Sequence, residues 1–169
     1  MSAIVDLAAL AGASVPVLRS PSLVDNHTPI APVLADAADN MSIPGDLQTI
    51  CVLFATWALL QPAGITEAIQ TFEALEGFDH LMGVSRHPAP LERPWRRTGD
   101  GSAEMVNPMH RLTRSQDVDL TEHDTGQIYV SRPSAWQLRI NGELKPTHLY
   151  ELPATRVVDP YDEDDRERA

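Results

Sequence analysis

The chain has 169 residues, enough for one domain with a real core and hardly for two. Thirteen Lys and Arg against 24 Asp and Glu give a formal charge of −11. With one lysine, Lys145, the chain lacks the clustered cations a general nucleic-acid surface uses to displace counterions. Hydrophobic residues at 43% and charged residues at 22% lie near globular averages and exclude wholesale disorder. The longest apolar stretch, Ile50 to Leu60, is too short to span a bilayer, and Met1 to Leu10 carries Asp6 where a secretory signal is basic. The single Cys51 allows no intrachain disulfide, so the expectation is a cytoplasmic protein with neither membrane nor nucleic acid as partner.

In chain order, Ala3 to Ala11 is rich in helix formers and stops at Gly12, a natural C-terminal cap. Val15-Pro16-Val17-Leu18 reads as a short strand. Thr28-Pro29 supplies an N-cap followed by proline at the first helical position, and Ile30, Val33, Leu34, Ala37 and Met41 mark one apolar helix face. Thr49 to Phe54 is a continuous apolar run of the kind expected for a central strand covered on both faces, with Cys51 buried in it. The end of such a strand faces the cleft of an open α/β sheet, which places Ala55-Thr56-Trp57-Ala58 in a candidate site. Ile65, Ile69, Phe72 and Leu75 follow at helical spacing, Gly77 ends that helix, and Phe78 to Val84 reads as the next strand.

This alternation predicts an α/β sheet with right-handed crossovers. Trp95-Arg96-Arg97 and Ala103-Glu104-Met105-Val106 flank Thr98-Gly99-Asp100-Gly101-Ser102, a hairpin signal. Asn107 to Asp124 then forms a long polar loop, of the kind that carries function. Gln127 to Val130 reads as a strand, Pro133 to Leu138 as a short helix, and Arg156-Val157-Val158 as a last strand before the acidic tail Asp159 to Arg168.

Six of the twelve arginines fall between Arg86 and Arg114, an arrangement that suits a small carboxylate or phosphate and equally a solvated Arg-rich hairpin. The most informative segment runs from Thr113-Arg114-Ser115-Gln116-Asp117 through Glu122-His123-Asp124-Thr125-Gly126-Gln127-Ile128-Tyr129. Polar groups there bracket a glycine that permits close approach of a ligand, and Gln116 and Gln127 both donate and accept, as a hydroxylated or N-acylated sugar requires. A hydrogen-bonded loop explains the same residues. The six histidines show no paired ligand spacing for zinc, and no serine sits in a nucleophile elbow. Trp57, Trp95 and Trp136 are either stacking platforms or core and interface residues.

Taken together, Val15-Pro16-Val17-Leu18-Arg19 with Asp25-Asn26-His27-Thr28-Pro29, Phe54-Ala55-Thr56-Trp57-Ala58, Glu104-Met105 through Asp117, and His123 through Tyr129 resemble the acylneuraminate cytidylyltransferases. Within that family they most resemble the pseudaminic acid cytidylyltransferases. The motifs keep their order over nearly the whole chain. The resemblance implies a Rossmann-like nucleotide-diphospho-sugar transferase fold with a β-hairpin insertion, spanning 1–169 as one partial domain with an acidic tail at about 159–169. It implies transfer of CMP from CTP to a nine-carbon keto-acid sugar, releasing pyrophosphate, with positioning and electrostatics supplying most of the catalysis. Gln116, Asp117, His123, Asp124, Gln127 and Tyr129 would line the sugar side, Arg93 or Arg114 would pair the sugar carboxylate, and Thr56 would stand on the loop after the central strand.

The resemblance also implies magnesium, held by an Asp-x-Asp pattern. Asp159 matches the first carboxylate and is otherwise a simple strand-end residue; the second position falls on Tyr161, with Asp162 one residue on. A departure lies at the start: the family's Gly/Arg/Ser/Lys-rich phosphate loop has no counterpart, since the first 40 residues hold one glycine and no lysine. The fold is therefore expected to be N-terminally incomplete, short by a strand–loop–helix–strand unit. The alternative to an enzyme is an inactive remnant or a sugar-binding module without catalysis. By analogy alone, Trp136 to Tyr150 would form a homodimer contact.

Overall fold

A computed structural model describes residues 3–25, 27–41, 49–54, 57, 59, 61–140 and 146–158. The chain divides into two compact units, each discontinuous in sequence: Met1–Cys51 with Ile69–His80 and Val130–Thr147, and Val52–Ala68 with Leu81–Tyr129 and His148–Ala169.

In the first unit, helix α1 (Ala3–Leu10) ends as its sequence dictates. Gly12 takes φ +86, its N–H donates to Ala9 O at 3.0 Å, and the Ala13 N–H donates to Ala8 O at 3.0 Å, the paired bonds of a Schellman cap. Val15 to Leu18 is not a strand. Pro16 brings no N–H to a ladder, no strand pairs with this run among the described residues, and Leu18 stays largely exposed. Helix α2 (Ile30–Asn40) begins one residue later than expected, and Pro29 is its N-cap. Thr28 does not cap it, because its hydroxyl donates to Asp25 Oδ2 at 2.6 Å while the His27 and Thr28 N–H groups donate to Asp25 Oδ1. The positions α2 buries are Ala31 and Ala35, small residues one turn apart that let it pack closely on helix α4 (Pro133–Ile140). Trp136 on α4 is buried edge-on to His80, with ring centroids 4.6 Å apart, and the Arg132 guanidinium lies 5.8 Å from the Phe72 ring centroid.

The main sheet has four strands, β1 (Ile50–Leu53), β2 (His80–Arg86), β5 (Glu122–Ser131) and β6 (Thr147–Glu151), in the order β1-β5-β2-β6. The chain leaves β1, runs through helix α3 (Pro62–Ala74), and returns as β2 two places along, leaving the slot that β5 fills. The result is a mixed α/β fold whose sheet contains parallel strands, as expected. β1 corrects the sequence reading. It stands at an edge, its residues are half-buried to exposed, and Cys51 is only half-buried, its thiol pushed up by that burial. A continuous apolar run implies a central strand only when neighbours cover both of its sides.

A further correction concerns the end of the chain. Arg156 to Val158 is not a strand; Ala154–Arg156 forms a 3-10 turn entered through Pro153. The strand lies earlier, at β6, inside the segment assigned to a dimer contact. Trp136, the first residue of that segment, is 2% exposed.

Strands β3 (Trp95–Arg97) and β4 (Ala103–Met105) form the expected antiparallel hairpin in the register Trp95↔Met105, Arg96↔Glu104, Arg97↔Ala103. Its turn is organised by Asp100, which accepts from the Thr98 hydroxyl, the Ser102 N–H at 3.0 Å and the Ser102 hydroxyl at 2.8 Å, with Gly101 at φ +84. The Thr98 hydroxyl, then the Ser102 donors, hold the Asp100 carboxyl down to about 2. A depressed carboxyl stabilises the turn fully above its usual value of 3.8, and that contribution is lost as pH falls through about 2. The Asp100 carboxyl is expected to titrate near 2 by NMR, and Thr98→Val to move the midpoint up towards 3.8. A midpoint near 3.8 in the unaltered protein would contradict this turn geometry.

Candidate functional site

Two wall segments of the second unit form a groove of about 200 Å³. One wall leaves the end of β2 as His87-Pro88-Ala89-Pro90; the other runs from Ser115 through Val118 to Thr121, into β5. Both ends are tied across. The His87 N–H donates to Thr121 O at 3.0 Å, and Arg93 Nη1 donates to Ser115 Oγ at 3.2 Å. Pro88 and Pro90 restrict the first wall, and the Arg93 N–H closes its turn on Pro90 O at 3.3 Å.

The predicted residues fall into three places. Arg93 is half-buried and joined to Ser115, hence to the 3-10 turn Ser115–Asp117 that carries Gln116 and Asp117 on exposed positions. Arg114 is set apart: its guanidinium pairs with Asp117 at 3.7 Å, with both side chains more than half exposed, a surface ion pair of little energetic weight. His123 is half-buried, its ring 4.8 Å from that of His87 at 45°, and its Nδ1 is buried without a hydrogen-bond partner among the described residues.

The second place is the pair Asp124 and Tyr129. The Tyr129 hydroxyl donates to the Asp124 carboxylate, 2.8 Å from each oxygen, and the Gly126 N–H donates to Asp124 Oδ1 at 2.9 Å. Residues five apart in a regular strand point to opposite faces. Gly126 at φ +64 breaks the alternation in the manner of a bulge, so the two side chains meet. Tyr129 is 7% exposed and packs edge-on against Phe54, with centroids 5.8 Å apart. The loop before this strand is thus shorter than expected, since β5 begins at Glu122 and holds His123 and Asp124 within it.

Gln127 is the third. It is 2% exposed, and its Nε2 donates to Val158 O at 3.4 Å and Arg156 O at 3.5 Å, fixing the chain just before Asp159. Thr56 and Asp159, with Tyr161 and Asp162, lie outside the described residues. Among the described residues no three His, Cys, Asp or Glu side chains converge as a metal centre.

Sequence reasoning missed His87 and Ser115 as groove residues. The available signal was the rigid His-Pro-x-Pro run directly after a strand. Trp57, expected at the cleft, is 6% exposed and lines a second cavity of about 200 Å³ with Gln61, Glu67, Tyr150, Leu152 and Arg156. Burial, then the Glu67 carboxylate, push the Tyr150 hydroxyl up.

A mixed α/β sheet with a crossover helix, a hairpin after its second strand, and a polar-headed strand leading into the core is consistent with a Rossmann-like nucleotidyltransferase fold. Its relatives agree. The chain is similar to the pseudaminic acid cytidylyltransferase of Campylobacter jejuni serotype O:2, 25% identical over 158 residues, 92% of this chain and 67% of the relative. The same holds for the protein of that name from Campylobacter jejuni serotype O:23/36, at 25% over 158 residues and the same coverage. A Helicobacter pylori protein named pseudaminic acid cytidylyltransferase and UDP-2,4-diacetamido-2,4,6-trideoxy-beta-L-altropyranose hydrolase is 28% identical over 133 residues, 79% of this chain and 25% of the relative. The chain therefore spans about two thirds of the two Campylobacter relatives. No protein-family model matches it. Among the described residues no helix is long and apolar enough to cross a membrane.

Proposed function

We propose that this chain is a cytidylyltransferase acting in the cytoplasm on a nonulosonic acid of the pseudaminic type, and that the groove between His87–Pro90 and Ser115–Thr121 receives the sugar acid. The observation that carries this is the clasp between Arg93 and Ser115. It sets a half-buried guanidinium beside the turn bearing Gln116 and Asp117, a cation for the carboxylate next to amide and carboxylate groups for hydroxyls. Of the two arginines in question, Arg93 suits the role better, because it is half-buried and bonded to the groove residue Ser115, whereas Arg114 is exposed. The anomeric hydroxyl attacks the α-phosphorus of CTP, the bond to the β-phosphate oxygen breaks, pyrophosphate leaves, and the hydroxyl proton passes to water. Magnesium at Asp159, with Asp162 as the nearest second carboxylate, belongs to the same proposal; when bound it would neutralise phosphate charge.

The test is direct. Pseudaminic acid titrated into the full chain should bind saturably; Gln116→Ala should weaken binding about tenfold, the worth of one well-placed hydrogen bond, and His123→Ala about threefold, through the groove residue His87 that it packs against. Unchanged affinity in both variants overturns the assignment. With CTP and magnesium added, pyrophosphate release supports catalysis; binding without release makes the chain a sugar-binding module.

A further inference from the structure

We propose that His87 is a further ligand-contacting residue of this groove, holding the end of the bound acid remote from Arg93. The inference rests on the sugar-acid reading of the groove and adds to it both a residue and an orientation. The two walls are tied at opposite ends by different bonds, the His87 N–H to Thr121 O and Arg93 to Ser115. A carboxylate seated at the Arg93 end leaves the remainder of the ligand running along Pro88 to Pro90 towards the imidazoles. The middle of the groove is lined by Pro88, Ala89 and Pro90 on one wall and by Val118, Asp119 and Leu120 on the other, and His87 is the lining side chain that carries ring nitrogens able both to donate and to accept.

His87 lines the groove directly, whereas His123 stands behind it, ring against ring at 4.8 Å. The backbone bond to Thr121 fixes where the His87 ring starts, and the following Pro88 restricts its backbone, so the imidazole is held at modest entropic cost. A neutral imidazole offers one donor and one acceptor and matches a hydroxyl or an N-acyl group. His87 is therefore the residue that touches the ligand, and His123 positions it.

The experiment uses the full chain and pseudaminic acid as the probe, with imidazole and backbone resonances followed by NMR. Saturable shifts of both the His87 and His123 imidazoles are expected. His87→Phe keeps a flat ring against His123 and removes the nitrogens; it should weaken binding about tenfold with an unchanged unfolding midpoint, and His87→Gln should recover much of the loss. Equal affinity in His87→Phe, with Ser115 and Gln116 signals still responding to the acid, overturns the role of His87 and leaves the groove reading standing. Shifts in neither wall overturn both. Should His87→Phe lower the unfolding midpoint, the imidazole shifts in the unaltered chain and the affinity of His87→Gln decide the question.

Discussion

Replacing Gly83 by alanine is expected to lower stability to urea by about 1–3 kcal/mol, the cost of forcing one methyl into a filled core. A Cβ at this position would stand 2.6 Å from Ile128 Cγ2, 3.2 Å from the Ile128 carbonyl oxygen and 3.2 Å from Leu152 Cδ1. Ile128 is fully buried on β5 and Leu152 is 6% exposed, so neither has free space to retreat into. The Gly83 carbonyl also accepts from the buried Thr125 hydroxyl at 2.8 Å, so a shift of β2 that relieved the clash would strain this bond between β2 and β5. Gly64→Ala is the control. It lies within α3, a Cβ there meets nothing within 4 Å, and the same change should be neutral or stabilising by up to about 1 kcal/mol. The difference between the two urea midpoints reads the packing at Gly83 directly, and equal midpoints would refute it.

What the sequence displayed, and what it hid, follows from which forces act locally. The end of α1 was legible because a Schellman cap depends only on neighbouring residues and one glycine. The β3–β4 hairpin was legible for the same reason, Asp100 and Gly101 being enough to turn the chain. Strand β6 was not. Its one aliphatic side chain, Leu149, is 47% exposed, whereas His148 and Tyr150 take the half-buried positions, so the alternation that marks a half-buried strand is inverted. Val157 and Val158 carry β propensity and no strand, because propensity supplies no partner.

The arrangement of the candidate site residues was not legible in the sequence. Gln116, Asp117, His123, Asp124, Gln127 and Tyr129 fall within one short stretch of the sequence, 116–129, and the structure sends them to separate tasks. Gln127 supports the chain at Val158, Tyr129 supports Asp124, and Gln116 is left exposed beside the groove. The wall opposite Ser115 comes from residues nearly thirty positions earlier, a pairing no local pattern encodes. Arginine density between Arg86 and Arg114 likewise pointed to an anion site, yet Arg86 pairs with Glu151 at 2.9 Å and Arg96 with Glu104 at 3.5 Å. Arg93 sets its guanidinium against a serine hydroxyl and is joined to no carboxylate among the described residues.

The second large effect lies at Asp124 and separates a residue that touches ligand from one that holds it in place. Tyr129→Phe removes hydroxyl bonds to a carboxylate and should cost about 1.5 kcal/mol, the low end for charged partners because Asp124 remains open to water. Asp124→Ala leaves the buried Tyr129 hydroxyl without that acceptor and should cost as much or more, and the double variant should show about 1 kcal/mol of coupling. Gly126→Ala strains a backbone at φ +64 and should cost about 1–2 kcal/mol while displacing the N–H that Asp124 accepts. Binding then distinguishes the roles. If Asp124 meets a sugar hydroxyl, Asp124→Ala should weaken pseudaminic acid binding about tenfold, and Tyr129→Phe, which only loosens the carboxylate, about threefold. Stability losses of this size with unchanged binding in both variants would make the pair a strut within β5 and remove it from the site, whereas the graded loss is the result expected of a carboxylate aimed by a phenol.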